Sequence, residues 1–137
     1  VPEPMLAAFK VAGWTYRIDF NYISELSKQL NMSCIGATNY SQKTIYISEA
    51  SATLHEFGHF LDWMLGFPAE YEQLFRAEAA AAPLRNYAKT NAREYFADCF
   101  DYCIIHGNDS KMMEILRKNA PQTCTYFEEL KKDNWSR

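Results

Sequence analysis

A chain of 137 residues with 48% hydrophobic and 23% charged residues is sized for one compact domain that buries roughly two-thirds of its unfolded surface, and has no room for two full-sized domains. Fourteen basic residues stand against 17 acidic ones, for a net charge of -3, and they are scattered rather than gathered into a stripe, which excludes a nucleic-acid footprint. The longest stretch free of charge, Gln29 to Gln42, is mostly polar, so no segment approaches the ~18 apolar residues of a membrane span.

The chain opens Val1-Pro2-Glu3-Pro4 without an initiator Met, a basic stretch or an apolar stretch, the pattern expected where a leader has been removed or the chain trimmed. Pro4 is placed like a proline in the first helical turn, and Met5, Leu6, Phe9 and Lys10 predict a short helix ending near Gly13. From Trp14 to Phe20 the residues alternate. Trp14, Tyr16, Ile18 and Phe20 fall on one face, with Thr15, Arg17 and Asp19 on the other, the pattern of a half-buried strand. Ile23, Leu26 and Leu30 return to helical spacing. Two further extended segments, Ser33 to Tyr40 and Lys43 to Ser48, flank Ser41-Gln42 as a hairpin connection.

From Glu49 onward the pattern is helical, with helices expected at about 50–65, 68–82, 91–106, 110–119 and 123–133. Pro83 ends the Ala-rich one. Strands first and helices after predict an α+β fold, mainly helical, with a small three-stranded sheet on one side and a single domain over 1–137. Aromatic residues at 15% promise a core rich in large rings. The four cysteines, Cys34, Cys99, Cys103 and Cys124, include no C-x-x-C pair and are read as small buried hydrophobes; their number leaves the redox compartment open.

Within the first long helix stands His55-Glu56-Phe57-Gly58-His59, in which two histidines four residues apart share one helical face and can reach one ion. With three His and 11 Glu in the chain, this pattern arises by chance in only about half a percent of such sequences. Leu54, Phe57, Leu61 and Met64 form an apolar stripe beside His55, His59 and Asp62. The bland alternative is an amphipathic helix with two polar surface histidines. Gly58 costs about 1 kcal/mol in a helix interior, which predicts close approach by another backbone element.

Catalytic zinc takes three protein ligands and leaves one position for water, so a third ligand is required. The segment Asn91-Ala92-Arg93-Glu94-Tyr95-Phe96-Ala97-Asp98 puts two acids four apart on one helical face, where they repel unless a cation is near. Glu94 is the candidate metal ligand. Asp98, one turn on, can accept the second ring N–H of a metal-bound histidine. Asn91 and Glu94 also have capping-box spacing, so Glu94 could simply cap its helix. His106 sits before Gly107-Asn108 and reads as a helix-end residue rather than a ligand. The charges from Glu128 to Lys132 read as a solvated helix face.

The residues H-E-F-G-H at 55–59, E-Y-F-A-D at 94–98 and Tyr87, seven residues before Glu94, together resemble the gluzincin peptidases, and among them the anthrax lethal factor type and the related bacterial Pro-Pro endopeptidases. The resemblance covers roughly residues 43–106. At the position of Asp98 that family tends to have the longer Glu. The resemblance implies a zincin-like fold and a zinc-dependent endopeptidase with one Zn2+ per chain held by His55, His59 and Glu94. It also implies Glu56 as general base, Tyr87 as the hydroxyl that binds the developing oxyanion, with Tyr95 as its rival, and Asp98 behind the metal shell. It implies a protein or peptide substrate and a secreted protein, with a cytoplasmic one as the alternative.

The chain is taken as a monomer. The substrate is expected to lie extended along Lys43 to Ser48 as a sheet edge beside the cleft, with specificity set by loops and by side chains near Trp63 and from Phe67 to Arg85. The competing reading is a zincin-fold binding module that holds metal without turnover, and intact Glu56 weighs against it.

Overall fold

A computed structural model describes residues 1–136. Helix α1 spans Glu3–Val11, with proline in its first turn, and ends where Gly13 takes φ +81°. Strand β1, Thr15–Ile18, is shorter than the alternation from Trp14 to Phe20 predicts. The reason is Asp19, whose carboxylate accepts from the Tyr22 amide at 2.9 Å and so starts helix α2, Phe20–Leu30. The expected apolar face fails with it. Trp14 is buried, whereas Ile18 and Phe20 are 66% and 65% exposed.

Strands β2, Gly36–Asn39, and β3, Thr44–Ile47, form the expected antiparallel hairpin, with Gly36 opposite Ile47 and Asn39 opposite Thr44. β1 runs parallel to β3, so the strand order is β1-β3-β2 and β3 lies in the middle. This corrects the expectation that Lys43 to Ser48 is an edge. Both sides of that strand are already paired, and all four of its residues are buried. The open edges are β1 and β2.

A short 3-10 turn at Ala50–Ala52 leads into α3, Thr53–Met64, and α4, Ala69–Glu78, follows. Residues Ala79 to Ala82 form turns rather than the end of the helix expected to reach 82. A second 3-10 turn, Asn86–Lys89, precedes α5, Ala92–His106, and then come α6, Ser110–Asn119, and α7, Pro121–Lys132. Helix α7 begins two residues before the expected 123 because Pro121 fits the first helical position. The architecture is α+β and mainly helical, in the order the sequence predicts.

Helix α3 is the centre of the molecule. It contacts β2 and β3 and packs along α5, so every residue from His55 to Asp62 is buried. The apolar stripe is therefore only one part of its contact. Phe60 is fully buried, with its ring centroid 5.1 Å from Phe9 and 5.2 Å from Trp14. A second aromatic group joins Tyr71, Phe96 and Phe127 under α4, α5 and α7. Burial of each large ring contributes about 1.5–3 kcal/mol, which lets α3 carry four buried polar side chains, His55, Glu56, His59 and Asp62. No helix among the described residues is long and apolar enough to cross a membrane.

Candidate metal centre

Helices α3 and α5 cross at Gly58. A Cβ there would stand 2.7 Å from the Ala97 Cα, so the close approach expected at Gly58 is present and α5 is the backbone that makes it. This contact brings the polar face of one helix against that of the other. His55 Nε2 lies 3.1 Å from one carboxylate oxygen of Glu94, and His59 Nε2 lies 3.0 Å from the other. Ligand atoms of His55, His59 and Glu94 all fall within 4.8 Å of one another.

The backbone of Glu94 is used in a cap, since the Asn91 side chain accepts from its amide at 2.9 Å. Its carboxylate does not complete a capping box but turns to the two imidazoles. Asn91 alone starts α5, and Glu94 is free for the site.

Burial disfavours the ionised form of Glu94, but hydrogen bonds and charge from the two histidines hold it well below the usual carboxylate range. Burial also pushes His55 down, and this is outweighed by hydrogen bonds to Asp98 and Glu94, which carry it up to about 10. Hydrogen bonds from the two imidazoles to Glu94 join the cluster. A divalent cation can replace them, because two neutral imidazoles and a carboxylate converging on one point are the donor set that zinc accepts.

Asp98 lies behind His55, with its Oδ1 2.5 Å from Nδ1. It is itself gripped by Arg85, whose Nε reaches Oδ2 at 2.8 Å and whose Nη2 reaches Oδ1 at 3.1 Å. With a proton on Nδ1 facing Asp98, His55 directs its Nε2 lone pair toward Glu94 and the shared point.

Glu56 projects from α3 next to the histidines and is buried, which raises its pKa above the ordinary carboxylate value. It lines a cavity of about 160 Å³ together with His55, Gly36, Met32, Arg85 and Tyr87. Tyr87 is 39% exposed and its ring centroid lies 6.0 Å from that of His55, so it faces the cleft. Burial and the Glu94 charge push its hydroxyl pKa up, keeping the phenol protonated. Tyr95 does not share this position. It is fully buried, and its hydroxyl meets Thr123 at 2.9 Å.

The sequence also matches a protein-family model, described as anthrax toxin lethal factor, N- and C-terminal domain, over residues 20–130. The chain belongs to the anthrax toxin lethal factor family. The match extends well beyond the motif region at 43–106 and includes α2 to α6 and most of α7, with every residue of the cluster. None of the curated proteins compared with the chain matches it.

This lethal factor family domain also holds site residues that sequence reasoning missed. The Tyr40 hydroxyl lies 3.3 Å from His59 Nδ1, so His59 has a rear partner as His55 does. Thr38 donates to the Glu56 carboxylate at 2.8 Å. Both come from the β2 hairpin, and their only sequence signal is a position just before the turn, which does not reveal a partner on α3. Trp63 packs against Trp14 at 5.1 Å, with the Lys43 ammonium 5.6 Å from its ring. His106 closes α5 against Tyr102 and is not in the cluster. Arg85 is the one residue of the expected Phe67 to Arg85 region that lines the cavity beside Glu56.

Proposed function

We propose that this lethal factor family domain is a zinc-dependent endopeptidase. The observation that supports it most is the convergence of His55, His59 and Glu94 on one point, next to the buried Glu56, which has no ion-pair partner among the described residues. One Zn2+ per chain fits this donor set, and when bound it supplies Lewis-acid polarisation of a carbonyl and acidifies water toward a pKa of ~7.

The residues of the chain divide the remaining work. His55, His59 and Glu94 would hold the ion, with Asp98 and Tyr40 fixing the two imidazoles from behind. Glu56 takes a proton from the attacking water and delivers it to the leaving amine. Burial raises its pKa, which makes the carboxylate a stronger base for the proton it takes from water. Tyr87, kept protonated and facing the cavity, donates to the oxygen that gains charge as the carbonyl becomes tetrahedral, a contribution of the kind worth ~3 kcal/mol in other enzymes.

An extended substrate would add to the open edge of β2 rather than to β3, because β2 is the edge strand whose Gly36 and Thr38 stand against Glu56. Main-chain pairing there gives affinity without choosing a sequence. Met32 and Ile35 on one wall of the cavity and Arg85 on another are the side chains placed to discriminate.

The test is metal content followed by turnover. The purified chain without a histidine tag should carry close to one zinc and cut a denatured protein, and both should be lost in His59→Ala. Less than about a tenth of a zinc per chain would sink the proposal, since protein zinc sites of this kind bind tightly.

A further inference from the structure

Glu56 reaches its position from α3, but no group on α3 holds its carboxylate. The last torsion of a glutamate is broad, so a lone side chain would sample many orientations of its two oxygens. Two residues of β2 remove that freedom. The Thr38 hydroxyl donates to Glu56 Oε1 at 2.8 Å and lies 3.3 Å from the Glu56 main-chain oxygen. Gly36 stands two residues earlier, on the same face of the strand. A Cβ at Gly36 would fall 2.9 Å from Glu56 Oε2 and 2.8 Å from the Ala52 Cβ, so only glycine leaves the space that Oε2 occupies.

We propose that Thr38 and Gly36 are positioning residues for the base, an inference that rests on the peptidase reading above. Thr38 engages Oε1 and so fixes the carboxylate plane. Oε2, which accepts no hydrogen bond among the described residues, is the oxygen that takes the proton of water and later returns it to the amine. The threonine has a single hydroxyl proton, and its shorter contact is to the carboxylate. The strand that offers its edge to the substrate thus also aims the base.

The experiment uses the zinc-loaded full chain as wild type, Thr38→Val, Thr38→Ser, Gly36→Ala and Glu56→Ala. Zinc per chain and melting temperature are measured first. Acetohydroxamic acid is then titrated calorimetrically, because a hydroxamate chelates zinc and gives its proton to a correctly placed base, which reports on Glu56 without turnover. Thr38→Val should bind it roughly tenfold more weakly, in line with the loss of one charge-assisted hydrogen bond. Thr38→Ser should stay close to wild type, and Gly36→Ala should fall toward Glu56→Ala, with zinc content unchanged in all. On any peptide that is cut, Thr38→Val should lower kcat and leave KM nearly unchanged.

Thr38→Val binding the hydroxamate as tightly as wild type would overturn the proposal. So would a loss in Thr38→Ser equal to that in Thr38→Val, since packing and not the hydroxyl would then be responsible. A chain that takes up no zinc fails at the first measurement and overturns the peptidase reading itself.

Discussion

Gly58 on α3 and Ala97 on α5 touch backbone to backbone, with the Gly58 Cβ position 2.7 Å from the Ala97 Cα and 2.9 Å from its carbonyl oxygen. This contact sets the distance between the helix that bears His55 and His59 and the helix that bears Glu94. In an exposed helix, replacing glycine by alanine stabilises by about 1 kcal/mol. Here the added methyl meets a backbone that cannot rotate away, so Gly58→Ala should destabilise the chain by about 1–3 kcal/mol and weaken zinc binding in the same protein. Urea denaturation and competition with a chelating dye measure the two effects. A more stable Gly58→Ala variant would show that the helices are not held at this separation.

Asp98 and Tyr40 stand behind the two histidines, at 2.5 Å and 3.3 Å from their Nδ1 atoms. Removing such partners costs 10- to 100-fold in metal affinity in other sites. Asp98→Asn should fall in that range. Tyr40→Phe should lie at about its lower end, because its contact is longer and uncharged. Both should keep the fold, which circular dichroism checks alongside the zinc competition.

Zinc uptake should release protons. His55 is pushed down by burial and carried up to about 10 by Asp98 and Glu94, so near neutral pH its proton must leave before Nε2 can bind metal. Calorimetry in buffers of different ionisation enthalpy should show about one proton released per zinc at neutral pH, with affinity rising as pH rises. Folding of the metal-free chain has the opposite sign. A folded pKa raised above the ordinary 6.5 gives stability that is fully present below that value and lost as pH rises through about 10. Melting of the metal-free chain should therefore fall between about pH 6 and pH 10, and zinc should remove most of that fall.

Glu78 supports the fold away from the metal centre. It is buried at the end of α4 and accepts from the Gln122 amide at 3.0 Å, the Thr123 amide at 2.7 Å and the Thr123 hydroxyl at 2.8 Å, capping α7 from a distant part of the chain. Glu78→Ala leaves three donors without it and should destabilise by about 2–3 kcal/mol. Zinc affinity per folded chain should not change, and a loss of zinc at unchanged stability would contradict this division of labour.

The sequence makes the helix-borne part of the site legible because helical spacing is local. His55, Glu56 and His59 lie within five residues, and the pair Glu94 and Asp98 repeats at one turn. The glycine between the histidines signals a close backbone approach, but that the partner is Ala97 of α5 emerges only from the fold. What the sequence leaves open is non-local. The extended run from Lys43 to Ser48 identifies a strand but not its neighbours, and β3 proved central because β1 pairs with it in parallel. The alternation from Trp14 ran on through Phe20, where the Asp19 cap had already ended the strand. Thr38, Tyr40 and Glu78 act through partners 18, 19 and 44 or 45 residues away, and no local pattern marks such a pairing. Tyr87 and Tyr95 illustrate the same limit, as both precede or follow Glu94 closely and only burial separates the one facing the cleft from the one in the core.

In the proposed function Glu56 is the base beside a metal held by His55, His59 and Glu94. The direct measurement is cleavage of a diverse peptide library by the zinc-loaded chain, with the cut bonds read by mass spectrometry and Glu56→Ala loaded to the same zinc content as control. With Glu56 as base, cuts made by the wild type should be absent or at least about a hundredfold slower in the variant, while zinc binding is retained. Equal cutting by both proteins, or one zinc bound and no cutting by either, would contradict this role.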